Sequence, residues 1–180
     1  MSREAERLGR IADDLLTLAR ADAGNRPIAR DRFFIDDLVA DTVATAGALA
    51  TSRAVSLELG RYEEAAIIGD ASLLRQLLVI LIDNAIQFTP AGGTITADVW
   101  AEGNNALVDI RDTGTGIDPA SLPRIFDRFY RADPARGRSG GAGLGLAIAR
   151  WIADVHGGRL GLAPSPGGGT VARFSMRLAL

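Results

Sequence analysis

The segment LIDNAIQFTP at residues 81–90 places polar amides on an otherwise apolar stretch. The spacing of apolar residues predicts a helix over 72–88. Asp83, Asn84 and Gln87 share one face of it, because residues three or four apart are neighbours on a helix surface. The amide oxygen of Asn84 suits Mg²⁺, a hard cation that keeps several waters and takes phosphate oxygens as further ligands. Taken alone, Asn84 is more simply interpreted as a surface amide that caps a loop. Two later segments of the sequence favour the metal-binding interpretation instead.

The second segment, RDTGTGI at 111–117, begins at the end of a predicted strand. Asp112 points to the same side of that strand as the apolar Ile110. Its carboxylate can accept a hydrogen bond from the exocyclic amine of adenine, where guanine has a carbonyl instead. Gly114 and Gly116 allow backbone to approach a ring or a phosphate where a Cβ would collide. The alternative is an Asx-type turn without a ligand.

The third segment, GGAGLGLAIAR at 140–150, sets four glycines around the start of a predicted helix. A helix N-terminus offers unpaired amides and a partial positive charge, so it can receive a phosphate chain. The segment is neither a Walker loop, since no Lys-Ser or Lys-Thr follows the glycines, nor the dinucleotide fingerprint. The alternative is a flexible linker before a helix. In this order, the three segments together predict a site for a purine nucleotide with its metal and phosphates.

An arginine-bearing stretch separates the two glycine segments. Between Asp127 and Ala142 its arginines are Arg128, Arg131, Arg136 and Arg138. Because this stretch has little material for a core, we predict a lid that an anionic nucleotide orders. Its aromatic residues, Phe126, Phe129 and Tyr130, can anchor the lid, although aromatic residues at such spacings are at least as often plain packing.

The remaining periodicity predicts an α/β domain over 31–180. The expected helices run from Phe34 to Ala50, from Ser72 to Phe88 and from about Gly143 to Val155, and strands are expected to begin at Val55, Ala65, Thr94, Ala106, Arg159 and Thr170. Asp70 is the expected N-cap of the second helix. His156 stands where the third helix should end, which predicts a structural rather than a catalytic role. We expect a two-layer sandwich, a mixed sheet with helices mainly on one face.

An N-terminal helix is predicted over 1–22, followed by a linker over 23–30. A short heptad seam runs along this helix, with apolar residues at alternating spacings of three and four: Leu8, Ile11, Leu15 and Leu18. Such a seam is typical of a helix that packs against a partner helix.

Composition narrows the function classes. The 180 residues are 47% apolar with a formal net charge of -2, and the arginines are scattered, so an extended nucleic-acid surface is not expected. The absence of cysteine excludes disulfides and thiolate metal sites and fits a reducing compartment. The longest apolar run, from Leu77 to Ile82, is far shorter than the roughly 20 residues of a membrane span. We expect a soluble, cytoplasmic domain without membrane contact.

The segments resemble those of the catalytic, ATP-binding domain of sensor histidine kinases, in the Bergerat-fold group that also includes gyrase, heat-shock chaperone and mismatch-repair ATPases. LIDNAIQFTP is similar to the N box of that family, DTGTGI to its first glycine box, RIFDRFYRAD to its F box and GGAGLGLAIAR to its second glycine box. The N-terminal helix resembles the second helix of the dimerisation and phosphoacceptor hairpin. The first helix, which carries the phosphoacceptor histidine in the family, is absent from this sequence.

The resemblance implies ATP and Mg²⁺ as ligands. Asn84 would ligate Mg²⁺, and Asp112 would read adenine. Tyr130 and Arg131 would approach the nucleotide from the F box, with Asn84 and Arg131 as the catalytic residues. The other positions implied to form the nucleotide site are Gln87, Phe88, Gly114, Gly116, Ile117, Gly141, Gly143, Leu144, Gly145, Leu146 and Thr170.

Two positions depart from the family pattern. Ile80 stands where the N box usually opens with a polar residue, and an isoleucine can neither ligate metal nor polarise a water. Gln87 stands where a basic residue is common, so one phosphate contact loses its charge. Both departures are expected to lower the affinity for Mg²⁺ and the capacity for phosphoryl transfer. The positions implied to bind adenine match the family.

The leading hypothesis is an ATP-dependent protein-histidine kinase domain, which donates the γ-phosphate to a histidine on a hairpin that is not complete in this chain. Alone, it should bind ATP without phosphorylating itself. Its expected partners are that hairpin, a response regulator and, through the N-terminal helix, a second copy, and its parent protein is expected to be membrane-anchored.

The alternative, motivated by the two departures, is a nucleotide-binding regulatory module with little phosphotransfer activity. A serine kinase of the anti-sigma type is a third possibility, against which the hairpin-like N-terminal helix argues.

Overall fold

The structure, a computed structural model, describes residues 9, 12, 14–19, 27–131 and 142–179. Strands and helices follow one another along the chain. The strands are β1 (Asp31–Phe34), β2 (Ser56–Tyr62), β3 (Ala66–Gly69), β4 (Thr94–Glu102), β5 (Asn105–Asp112), β6 (Arg159–Pro164) and β7 (Thr170–Arg177). The helices are α1 (Ile35–Ser52), α2 (Ala71–Phe88) and α3 (Gly145–Val155), with a 3₁₀ turn at Leu122–Arg124.

A five-stranded sheet in the order β2-β4-β5-β7-β6 forms one layer. β2 runs parallel to β4, and the other neighbouring strands are antiparallel, so the sheet is mixed. Alternate residues of its central strands, such as Val99, Val108 and Phe174, are at most 1% exposed and share the core with the helices. The predicted two-layer α/β sandwich is therefore confirmed.

Strand β1 was not predicted. The sequence indicated a helix from Phe34, but residues Asp31–Phe34 pair antiparallel with β3, and α1 begins at Ile35. The four residues DRFF are too short and too mixed in polarity to show a strand period. A bridge between Ile67 and Leu178 then ties β3 to the chain beyond β7.

Helix α2 carries the amides of Asn84 and Gln87, and its apolar side packs deeply into the core. Its buried residues are Leu73, Leu74, Leu77, Leu78, Leu81, Ile82, Ala85 and Ile86. Asp70 caps its N-terminus as predicted, since Oδ1 accepts hydrogen bonds from the amides of Ser72 (3.0 Å) and Leu73 (3.1 Å). By length and hydropathy alone α2 also passes the test for a membrane span, a test that the buried core helix of a folded domain passes equally well.

Among the N-terminal residues that the structure describes, 14–19 are helical, which agrees with the predicted helix. Leu18 is 4% exposed and joins the core of the domain, whereas Leu15 is 44% exposed. The predicted seam is thus divided between the domain core and the surface. Its other members, Leu8 and Ile11, and the predicted boundary at residues 22–23 lie outside the described residues.

His156 joins the ends of two helices. Its Nε2 accepts a hydrogen bond from the amide of Asp70 (3.0 Å), and its Nδ1 lies 2.7 Å from the carbonyl oxygen of Ile152, to which it donates in that tautomer. The imidazole therefore connects the C-terminus of α3 to the N-cap of α2. These contacts support the structural role predicted for His156.

Replacing His156 by alanine is expected to lower the free energy of unfolding by about 2 kcal/mol, because the Asp70 amide and the Ile152 carbonyl lose their partner. Denaturant unfolding at neutral pH measures this loss. Asp154→Ala is the matched control on the same helix. Its exposed ion pair with Arg150 contributes about 0.5 kcal/mol or less. Equal losses in the two variants would contradict the role assigned to His156.

Candidate nucleotide site

Asp112 lies at the end of β5 and is 6% exposed. Its Oδ1 accepts hydrogen bonds from the backbone amides of Gly114 (2.8 Å) and Thr170 (3.1 Å). In the described part of the chain no donor bonds to Oδ2, so this oxygen is available to a ligand. Burial raises the pKa of the Asp112 carboxyl above its usual value, and the two amide donors oppose this rise.

The loop after Asp112 is held between α2 and the glycine turn that precedes β7. The amide of Thr115 donates to the carbonyl oxygen of Phe88 at the end of α2 (3.2 Å). A Cβ built on Gly114 would lie 2.5 Å from that same oxygen and 2.7 Å from Asp112 Oδ1, so no larger residue fits at this position. Gly116 adopts a φ of 72°, the left-handed region that favours glycine.

Gly169 closes the other side of this loop, and sequence reasoning missed it. Its φ is 83°, and a Cβ built on it would lie 2.7 Å from the carbonyl carbon of Asp112 and 2.8 Å from the amide nitrogen of Gly114. The backbone of the glycine turn therefore rests directly on the backbone of the predicted adenine site. The only sequence signal was the run Gly167-Gly168-Gly169, in which nothing distinguishes the third glycine from the other two.

The C-terminal half of α2 brings Asn84, Gln87 and Phe88 to the same end of the domain. Phe88 is 46% exposed, so its ring is open to contact by a ligand or a partner. Asn84 is half-buried, and its amide forms no hydrogen bond with the residues that the structure describes. Ile80, one turn earlier, packs towards the start of α3, where a Cβ on Gly145 would lie 3.3 Å from its Cγ2.

The two segments predicted to cover the nucleotide touch each other through their backbones. The amide of Phe129 donates to the carbonyl oxygen of Gly143 (2.9 Å), and a Cβ on Gly143 would lie 2.7 Å from the carbonyl oxygen of Tyr130. The Tyr130 hydroxyl donates to the buried Ser121 (3.0 Å), and the guanidinium of Arg124 lies 4.5 Å from its ring. Tyr130 therefore fixes the described part of this segment through its side chain, whereas the Phe129 side chain is 61% exposed and contributes only its backbone amide. Residues 132–141 of the predicted lid lie outside the described residues, so the lid stays a prediction.

Arg150 on α3 contacts both the Phe126 ring, which follows the turn at Leu122–Arg124, and the edge strand β6. Its guanidinium lies 4.7 Å from the centroid of the Phe126 ring, and it also donates a hydrogen bond to the carbonyl oxygen of Leu160 in β6. One side chain thus connects the helix after the second glycine segment, the F box and the edge of the sheet. The sequence did not single out Arg150, because an arginine in an amphipathic helix has no local feature that separates packing from solvation.

Replacing Arg150 by alanine is expected to weaken ATP binding about fivefold, close to 1 kcal/mol, because Phe126 in the F box loses the guanidinium that stacks on it and that the hydrogen bond to Leu160 holds in place. Calorimetric titration with ATP measures the change. Arg150→Lys is the control, since it keeps the charge but lacks the planar group that stacks on Phe126. It should show most of the loss. An affinity unchanged in both variants would mean that the turn is held without Arg150.

The structure therefore groups some predicted residues and leaves others apart. Asp112, Gly114 and Thr170 are joined by hydrogen bonds, with Phe88 at the same loop. Leu144 is fully buried, and four further predicted residues are partly exposed: Ile117, Arg131, Gly145 and Leu146. Gly141, like Gly140, Arg136 and Arg138, lies outside the described residues.

No cluster of three or more His, Cys, Asp or Glu that could hold a metal occurs among the described residues.

Comparison with known proteins agrees with this architecture. Residues 69–180 match the family described as histidine kinase-, DNA gyrase B-, and HSP90-like ATPase. Curated relatives include the phosphate regulon sensor protein PhoR of Pseudomonas aeruginosa, 35% identical over 94% of this chain and 39% of the relative, and the sensor protein SphS of Synechococcus elongatus, 37% identical over 91% and 41%. The chain spans about two fifths of the length of these relatives.

Among solved structures, full-length ShkA in complex with AMPPNP superposes with a TM-score of 0.86 at 28% identity, over 98% of this chain and 37% of that one. The mycobacterial sensor histidine kinase MprB superposes with a TM-score of 0.71 over 83% of this chain and 98% of that one, and its 24% identity supports the fold alone. The chain belongs to the histidine kinase-, DNA gyrase B- and HSP90-like ATPase family. Its relatives are sensor kinases, and its fold is that of their catalytic ATP-binding domain.

Proposed function

We propose that this domain binds ATP with Asp112 as the adenine-reading residue and donates the γ-phosphate to a histidine on a helical hairpin. The buried Asp112 carboxylate carries the proposal. One of its oxygens is held by two backbone amides, and the other is left for a donor on the ligand. The exocyclic amine of adenine is such a donor. The nucleotide analogue bound by ShkA supports the choice of ligand.

The other predicted residues take roles that fit their positions. Phe88 and Ile117 line the adenine side, and Thr170 supports the Asp112 carboxylate through its amide. Gly114, Gly116 and Gly143 admit backbone close to the nucleotide, with Gly141, Leu144, Gly145 and Leu146 at the start of α3. The N-terminus of α3 faces the phosphates, where its unpaired amides favour negative charge. Tyr130 and Arg131 approach from the F box, Arg131 bringing positive charge to the transferred phosphate.

Magnesium fits this site through Asn84. Its half-buried amide forms no hydrogen bond with the described residues, and an amide oxygen together with phosphate oxygens and waters is a common Mg²⁺ shell. When bound, the ion would supply charge neutralisation on the triphosphate. Ile80, which packs on α3, offers no second ligand, and Gln87 can contact a phosphate only as a neutral amide.

Phosphoryl transfer on such a site depends on positioning and electrostatics, since the receiving nucleophile is a histidine elsewhere. His156 does not supply it, because both ring nitrogens are held by backbone groups of α2 and α3. We therefore propose that the hairpin of the parent kinase carries the phosphoacceptor histidine. Residues 1–22 would form the second helix of that hairpin, residues 23–30 the linker and residues 31–180 the catalytic domain. A response regulator and a second copy bound through the N-terminal helix are the further proposed partners, in the cytoplasm beneath a membrane-anchored parent.

Two measurements test this proposal. Calorimetric titration with ATP, with and without Mg²⁺, should show binding that Mg²⁺ strengthens. Incubation with γ-labelled ATP and the separately supplied hairpin of the parent kinase should place label on its histidine and none on this domain. Binding without any transfer to the hairpin would contradict the kinase function, and would be the result expected of a regulatory module. A complete lack of ATP binding would contradict the site itself.

A further inference from the structure

The face of the five-stranded sheet that points away from the helices carries a group of charged side chains at its centre. At its centre Asp98 on β4 lies directly opposite Asp109 on β5, and they are 9% and 0% exposed. Arg173 on β7 binds both oxygens of Asp109 at 2.7 Å, and Arg111 lies 3.5 Å from Asp98 and 3.6 Å from Asp109. These two arginines are committed to neutralising the buried carboxylates.

Trp100 occupies the next position of β4 on this face and is covered by two arginine side chains, Arg61 and the same Arg173. The guanidinium of Arg61 lies 5.2 Å from its ring centroid and that of Arg173 lies 5.3 Å from it. The indole is consequently only 8% exposed although no second layer of structure covers this face in the described part of the chain. The central arginines therefore take the place of a covering layer, and their charge is not available to a partner.

Two arginines at the adjoining edge of the same face have no such role. Arg159 on β6 and Arg177 on β7 are exposed and form no hydrogen bond or ion pair with the described residues. Arg159 is paired in register with Ser175, and Arg177 is the next residue of β7 on that face. From strand spacing, their Cα atoms are about 8 Å apart.

A shallow pocket of about 440 Å³ lies beside Arg159, bounded by Arg173 and by Arg150 of α3. Its floor includes Gly161 and Ser175, and a Cβ built on Gly161 would meet nothing within 4 Å. The acidic residue on its rim, Asp154, is already 3.7 Å from Arg150. The edge of the sheet thus combines two exposed arginines, which pair with no described carboxylate, with an open pocket.

We propose that this β6–β7 edge, formed by Arg159, Arg177, Gly161 and Ser175, docks an extended acidic segment of a partner protein. In an extended chain, side chains two residues apart project to the same side about 7 Å from one another, so alternate carboxylates match the separation of Arg159 and Arg177. The chain as a whole carries a net charge of -2, which opposes binding of long polyanions such as nucleic acids or anionic membranes. A short acidic segment needs only the local charge.

The test uses a short synthetic peptide that alternates glutamate and threonine, with a glutamine-for-glutamate peptide as its neutral counterpart. At low ionic strength, calorimetry should show binding of the acidic peptide alone, weakened at least about tenfold by the double substitution Arg159→Glu and Arg177→Glu. The double substitution Arg30→Glu and Arg53→Glu changes the net charge equally at exposed arginines elsewhere, and it should leave the affinity unchanged.

Thermal unfolding and ATP titration of both double variants check that fold and nucleotide site persist, so the docking result stands apart from the ATP site. Equal weakening by the two double variants would overturn the proposal, because the affinity for the peptide would then depend on the net charge of the domain and not on Arg159 and Arg177. No binding of the acidic peptide by the unaltered domain would also overturn it. Tighter binding of inorganic polyphosphate or phosphatidylserine vesicles than of the peptide, lost on Arg159→Glu and Arg177→Glu, would overturn the choice of a protein partner.

Discussion

Replacement of Asp112 by asparagine is expected to weaken ATP binding by about 100-fold or more, roughly 3 kcal/mol. The new Oδ1 can still accept from the amides of Gly114 and Thr170, which fixes the orientation of the side chain. Its Nδ2 then replaces the free carboxylate oxygen and turns a donor towards the donor amine of adenine. The variant therefore loses a charge-assisted hydrogen bond and gains an unfavourable contact. Calorimetric titration with ATP in the presence of Mg²⁺ measures the loss.

The fold should survive this substitution, which separates a binding defect from a folding defect. Burial raises the pKa of the Asp112 carboxyl, so the folded state binds its proton more tightly than the unfolded state does. The contribution of Asp112 to the free energy of unfolding is therefore largest below its unfolded pKa and is lost as pH rises through the raised folded pKa. At neutral pH, ionised Asp112 destabilises the folded state relative to the unfolded state. The Asp112→Asn variant lacks that charge, so its melting temperature at pH 7 should be unchanged or higher.

Base preference gives a second readout for the same variant. An amide donor at this position can pair with the carbonyl oxygen that guanine presents in place of the adenine amine. The ratio of ATP affinity to GTP affinity should therefore fall in Asp112→Asn. A variant that folds normally and still binds ATP with nearly unchanged affinity would show that adenine is not read at Asp112.

The parts of the fold that sequence predicted well are those governed by local rules. Helix α2 combines an apolar period with a cap at Asp70, and both follow from residues within a few positions of each other. The position of Asp112 at the end of a strand followed in the same way from the alternation of β5. Short-range periodicity and capping are sufficient for such features.

The features that sequence did not reveal depend on contacts between distant parts of the chain. The family resemblance implied Thr170 as a site position, but not that its amide bonds Asp112 across 58 positions, and nothing near Gly169 indicates that its backbone would rest on that loop. The stacking of Arg150 on Phe126 is equally non-local. β1 exists only because β3 supplies its partner, since four residues cannot show a period of their own. In each case tertiary packing, rather than propensity, sets the outcome.

Gly169→Ala is expected to reduce both stability and ATP binding, whereas Gly168→Ala should reduce stability by its backbone strain alone and leave ATP binding nearly unchanged. Both glycines have positive φ, 83° and 107°, so alanine is strained at either position by about 1–2 kcal/mol. At Gly168 the added Cβ meets nothing within 4 Å, but at Gly169 it would press on the backbone of Asp112 and Gly114. Flexible side chains can move out of the way of a methyl group, and backbone at the end of a central strand cannot do so without displacing that strand.

For Gly169→Ala the expected loss of unfolding free energy is about 3–4 kcal/mol, from left-handed strain plus this clash. ATP affinity should fall at least about tenfold more than in Gly168→Ala, since relief of the clash moves the Asp112 carboxylate and its two amide donors. Denaturant unfolding and calorimetric titration of the two variants side by side measure both effects. Identical behaviour of the two variants would mean that the glycine turn acts only through its conformation and does not position the nucleotide site.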